Sequence, residues 1–112
     1  MNMMLKRLLF IHKDKNIPGV IEKNIDDISN YFISIVISFK AILIEMINNP
    51  PDLIVLDLDF PEMDGIEILK MIKYYMSDPS PIMVFTARHL TPEEQYILAN
   101  LGAIKIIYQS PP

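Results

Sequence analysis

Five short apolar runs punctuate the chain: Leu8–Ile11, Phe32–Ile37, Leu53–Leu56, Ile82–Phe85 and Ile104–Tyr108. Each has strand length and is nearly continuous rather than alternating, the pattern of strands buried on both faces. Helix signals lie between them. Pro50-Pro51 closes a helical segment over 39–48, with Ser38 as its cap. Gly65 opens "IEILKMIKYYM", where Ile66, Leu69, Ile72 and Lys73 recur at helical period, and Pro79 and Pro81 end it. Thr91-Pro92-Glu93-Glu94 combines a cap, a proline at the first helical position and the glutamate of a capping box. That helix is expected to reach Leu101, with Gly102 terminating it. The first helix has the least distinct signal. It is expected to start at Pro18, with Ile21, Ile25, Ile28 and Phe32 forming its buried stripe.

Regular alternation of strand and helix predicts an α/β fold, a doubly wound parallel sheet with helices on both faces. Five such strands usually order as 2-1-3-4-5, and sites lie beyond their carboxyl ends where strands 1 and 3 meet. Asp57 ends the third run, and His12-Lys13-Asp14 follows the first. The expected topology brings these residues together.

Composition narrows the class. The 112 residues are 51% hydrophobic and contain no cysteine, so a core forms without disulfides, as suits a reducing cytoplasm. One domain over 1–112 is expected. A net charge of −4 without a basic cluster argues against direct nucleic-acid binding. The most apolar stretch, 31–47, is broken by Lys40 and Glu45 and is shorter than the ~20 residues a membrane span requires. The expectation is a soluble, cytoplasmic protein without a membrane partner. The eight methionines read as core fillers. Tyr74-Tyr75 is expected on the third helix with one ring partly exposed.

The stretch "PDLIVLDLDFPEMDG" (51–65) resembles the third strand and following loop of receiver domains, the phospho-acceptor modules of bacterial two-component response regulators. Asp57 falls on the phospho-acceptor, with Pro61 and Asp64-Gly65 at the family's spacing. "PIMVFTARH" (81–89) resembles the fourth strand, placing Thr86 on the hydroxyl residue that bonds the phosphoryl group and Ala87 after it. "ANLGA" (99–103) resembles the end of the fourth helix. The resemblance implies a flavodoxin-like (CheY-like) fold, a role in phosphorelay signalling and no enzymatic activity.

Three positions depart from the family pattern. The acidic pair that normally holds Mg²⁺ is replaced by His12 and Lys13, with Asp14 one step beyond. The lysine position is Gln109, and the switch-aromatic position is Ile106, with Tyr108 two residues on as a partial substitute. The chain also stops at Pro112, before a fifth helix, which is expected to leave apolar residues of strands 1 and 5 exposed. Dimerisation through the helix 4–strand 5 side is expected to cover them.

Phosphoryl transfer to a carboxylate rests on positioning and charge neutralisation. Two arrangements remain open for this pocket. Asp14, Asp57 and the backbone carbonyl of Asp59 would bind Mg²⁺ weakly, through a mostly water-filled shell. Alternatively Lys13, with or without a protonated His12, would set a fixed positive charge beside Asp57; this second arrangement is favoured. Against both stands the plain expectation that a lone histidine such as His12 faces solvent, and Asp64 is expected to support the turn at Gly65.

Three functions compete. The first is a conventional receiver, phosphorylated on Asp57 by a histidine kinase and switching through Thr86. The second, placed ahead, is an atypical receiver acting largely by binding another signalling protein. The third, a flavin or small-molecule enzyme on the same fold, lacks a glycine-rich phosphate loop, since the chain has three scattered glycines.

Overall fold

The computed structural model describes residues 5–13, 15–76 and 80–109. Five strands form its sheet: β1 (Lys6–Ile11), β2 (Tyr31–Val36), β3 (Leu53–Asp57), β4 (Ile82–Thr86) and β5 (Ala103–Tyr108). All neighbours pair in parallel, in the order β2-β1-β3-β4-β5. Four α-helices connect them among the described residues: α1 (Gly19–Asn24), α2 (Phe39–Asn48), α3 (Gly65–Tyr75) and α4 (Pro92–Asn100).

Alternation along the strands sends side chains to opposite faces of the sheet. Leu9, Ile11, Ile54, Leu56, Ile82 and Val84 pack against Ile42 and Met46 of α2, Ile68, Leu69 and Ile72 of α3, and Leu98 of α4. On the other face Leu8, Phe10, Leu53, Val55, Phe85 and Ile107 pack with Ile21 of α1 and with Ile25. Each such fully buried side chain adds about 1.5–3 kcal/mol relative to exposure. The central strand β3 is buried at all five positions, its terminal aspartate included. A register shift between Ile82 and Met83 lets Ala103 and Ile106 of β5 join the first core and Ile107 the second.

The helix starts follow local chemistry. Ser38 and Asp64 accept hydrogen bonds from the backbone N–H groups of Ala41 and Ile66, so Asp64 caps α3. Thr91 and Glu94 form a reciprocal capping box on α4. Gly102, at φ +93°, closes α4 in a conformation that side chains disfavour. A Cβ on Gly65 would lie 2.5 Å from the Leu58 Cα, so only glycine lets α3 start this close to the end of β3.

Several expectations are corrected. The first helix ends at Asn24, where Ile25 turns to an extended conformation, and Asp27 follows in a left-handed one (φ 54°) before a short 3-10 turn at Ile28–Asn30. Phe32 therefore lies on β2, exposed, with the Arg7 guanidinium 5.7 Å from its ring centroid, rather than in a helical stripe. Both Tyr74 and Tyr75 are exposed, packed edge to face at 5.1 Å. On β1, Leu8 and Phe10 are buried by α1 and neighbouring strands, so apolar exposure in the two strands falls mainly on Ile104 and Tyr108 of β5. Among the described residues, no helix is long and apolar enough to cross a membrane.

Candidate functional site

The carboxyl ends of β1, β3 and β4 converge on Asp57. Asp57 continues the Leu53–Val55 face of β3 and is 1% exposed. His12 lies just past β1, and its N–H donates to the Val36 carbonyl at 3.1 Å, extending the β1–β2 ladder by one residue. That extension aims the imidazole along the Phe10 side. It stacks on the Phe10 ring at 4.8 Å and 6° and meets Phe85 edge-on at 5.9 Å. His12 is consequently 3% exposed, and its Nδ1 lies 2.8 Å from Asp57 Oδ2. With the carboxylate ionised, Nδ1–H is the donor.

The expected solvent-facing histidine is thus overturned, and the reason is the aromatic wall of Phe10 and Phe85. Lys13 takes no part: it is exposed, and no ion pair joins it to Asp57 among the described residues. Asp14 lies outside the described residues.

The other Asp57 oxygen, Oδ1, accepts the backbone N–H of Asp59 at 2.8 Å. Both carboxylate oxygens are therefore bonded within the chain, which offsets the cost of burying the group.

Across the strand ends, Thr86 terminates β4 on the Ile82–Val84 face, fully buried. Its hydroxyl lies 3.2 Å from both oxygens of the Asp59 side chain and accepts the Arg88 N–H at 3.1 Å. The Ala87 N–H donates to Asp59 Oδ2 at 2.9 Å, and Arg88 Nε lies 3.3 Å from Oδ1. Asp59 was assigned only a backbone carbonyl from the sequence; its side chain proves to be the centre of this half of the site.

Arg88 also bonds Glu94 at 2.7 Å, tying the site to the first turn of α4. That bond, with smaller contributions from Glu94 and Asp59 charge, raises the Arg88 guanidinium further above its ordinary range against a partial opposing effect of burial. The Glu94 carboxyl is held below its ordinary value, first by the Thr91 N–H and then by Arg88.

On β5, Ile106 pairs in register with Val84 and is half-buried against the first core, while Tyr108 pairs with Thr86 and is exposed. The exposed Gln109 meets β4 through its backbone, its N–H donating to the Thr86 carbonyl at 2.8 Å.

A response regulator receiver domain model matches residues 10–109. The chain belongs to the response regulator receiver domain family. Two curated relatives are response regulators named ArlR, from Staphylococcus saprophyticus and Staphylococcus epidermidis, each 30% identical over 75% and 78% of this chain. The chain spans 37% and 38% of their lengths. Among solved structures, a CheY-like receiver domain protein from Methanospirillum hungatei superimposes with a TM-score of 0.74 at 22% identity, covering 97% of this chain and 85% of that one. The chemotaxis protein CheY4 of Vibrio cholerae gives 0.76 at 18%, over 97% and 90%. These likenesses agree with the β2-β1-β3-β4-β5 sheet described above.

Receiver domains are two-component signalling modules, generally without enzymatic activity, that interact with histidine kinases and other signalling proteins and typically bind Mg²⁺. Of the groups expected to hold that ion here, Asp57 and the Asp59 carbonyl are among the described residues and Asp14 is not. His12 occupies one side of Asp57, the Asp59 side chain is drawn to Thr86 and Ala87, and no group of three potential ligands gathers among the described residues.

The sequence pattern did not single out Arg88 or the Asp59 side chain. Arg88 and Glu94 are six residues apart, a spacing without meaning until the β4–α4 turn brings them together.

Proposed function

We propose that residues 1–112 form one atypical receiver domain, acting in the cytoplasm largely by protein–protein interaction rather than as a metal-dependent phosphate acceptor. The observation that carries this reading is the His12–Asp57 pair at 2.8 Å, buried at the position where an acidic pair would otherwise gather Mg²⁺. A cationic or hydrogen-bonding imidazole satisfies Asp57 without metal and would compete with one for the same volume. Any residual Mg²⁺ binding through Asp14, Asp57 and the Asp59 carbonyl is weak in this reading. Its partner is a histidine kinase or another signalling protein.

A separate observation supports a homodimer through the α4–β5 side. Tyr96, Ile104 and Tyr108 are exposed there, and Ile104 and Tyr108 line a shallow cavity of about 350 Å³ with Gln95, Ala99 and Ile106. Sedimentation is expected to show a dimer, weakened by Tyr108→Glu; a monomer at high concentration would contradict it.

A conventional phosphorylated receiver is the second reading. It is favoured by the hydroxyl of Thr86 and the amide of Ala87, two anion-compatible donors facing the end of β3. Transfer from acetyl phosphate would form an oxygen–phosphorus bond at Asp57 as the bond to the leaving acetate breaks. Intact-mass measurement after acetyl phosphate treatment, with and without Mg²⁺, separates the two readings. The atypical reading expects no adduct under either condition; an Mg²⁺-dependent adduct absent from Asp57→Asn would establish the conventional one.

A further inference from the structure

The Asp59 carboxylate gathers three different donors. Thr86 supplies a hydroxyl, Ala87 a backbone N–H at 2.9 Å and Arg88 a guanidinium Nε at 3.3 Å. A hydroxyl, an amide and a cation converging on one point make a recognition site for a small oxyanion. The Asp59 backbone N–H is itself held on Asp57 Oδ1 at 2.8 Å. Backbone and side chain of this one residue therefore bridge the β3 and β4 halves of the site.

We infer that Asp59 is a built-in ligand, its carboxylate filling the oxyanion site formed by Thr86, Ala87 and Arg88. The inference rests on the receiver reading above, which makes Thr86 and Ala87 the groups that respond to an anion. It goes further by stating what holds them: a side chain of the chain itself. Thr86 is drawn to an anion without any modification of Asp57. Since Arg88 also bonds Glu94, whose side chain closes the α4 capping box with Thr91, the same carboxylate sets the first turn of α4. A phosphate entering this site would meet the Asp59 charge and be excluded by repulsion as well as by volume.

The alternative is that Asp59 only completes a turn, with its negative charge incidental. Amide NMR spectra of the full chain, compared with Asp59→Asn and Asp59→Ala, distinguish the two. Asparagine keeps the shape and an accepting oxygen but removes the charge, so it controls for misfolding of the alanine variant. The inference expects the Ala87 amide proton to lose its downfield position in Asp59→Ala and to move upfield by less in Asp59→Asn, whose carboxamide oxygen is a weaker acceptor, with Glu93 and Glu94 amides shifting alongside. It also expects added inorganic phosphate to shift Ala87 and Arg88 in the variants and to leave the unsubstituted chain unchanged. Ala87 resonances unmoved by either substitution, or an equal phosphate response in all three chains, would overturn it. Failure of the atypical receiver reading has a separate signature, a phosphoryl adduct on Asp57 of the unsubstituted chain, which these spectra do not depend upon.

Discussion

The two aspartates at the end of β3 differ in what surrounds them. Asp57 is buried and bonded by an imidazole that Phe10 and Phe85 enclose, in the half of the site formed by β1 and β3. Asp59 is a quarter exposed and bonded by a hydroxyl, an amide and a guanidinium, in the half formed by β4 and the approach to α4. In the reading proposed above, a histidine stands in the first half where the family's acidic ligands would lie, and in the second the anion-compatible donors are filled from within. Both carboxylates are hydrogen-bonded inside the chain.

The contrast is testable because burial sets the scale of each effect. His12→Ala leaves the Asp57 carboxylate buried beside a cavity. It is expected to destabilise the fold by about 3–5 kcal/mol in urea unfolding, the usual result of stripping one partner from a buried pair. A cost near zero would mean that the imidazole is not what stabilises Asp57. Thr86→Val keeps the side-chain shape but removes a fully buried hydroxyl and should cost about 1–2 kcal/mol by the same measurement. If it cost as much as His12→Ala, the two halves would not differ as described.

Arg88→Ala should cost less, about 0.5 kcal/mol, since its contact with Asp59 is partly exposed and screened by water. The smallest effect is one of pH. Glu94 is held below its ordinary 4.5, chiefly by the Thr91 N–H and then by Arg88. Its ionised form therefore adds a stabilising contribution that is complete above that value and fades as pH falls through the lowered folded value. Carbon-detected NMR titration should place Glu94 below 4.5, with Arg88→Ala moving it upward. A Glu94 titration at or above the ordinary value would detach α4 from the site.

How much of this was legible in the sequence follows from the range of the interactions. Strand positions, sheet order and three of the four helices came from apolar runs and caps, which are local. The first helix ran too far because the spacing of Ile21, Ile25 and Ile28 continues the helical period past Asn24, whereas the backbone is extended at Ile25 and left-handed at Asp27. The candidate site was legible as a set of positions around Asp57, Thr86 and His12. Its wiring was not. His12 is buried because Phe10 and Phe85, from two strands, enclose it, and Asp59 turns to Thr86 because β3 and β4 end side by side. Both facts depend on pairing across the sheet, which residue spacing along the chain does not encode.

The central proposal is that the groups within this pocket, His12 beside Asp57 and the Asp59 carboxylate on Thr86, Ala87 and Arg88, keep Asp57 from accepting phosphate. The most direct test treats the native chain and a His12→Asp/Lys13→Asp/Asp59→Asn/Gln109→Lys variant side by side with acetyl phosphate and Mg²⁺, reading both by intact mass. The account predicts a labile phosphoryl adduct on the rebuilt chain and none on the native one. An adduct on native Asp57 would contradict it.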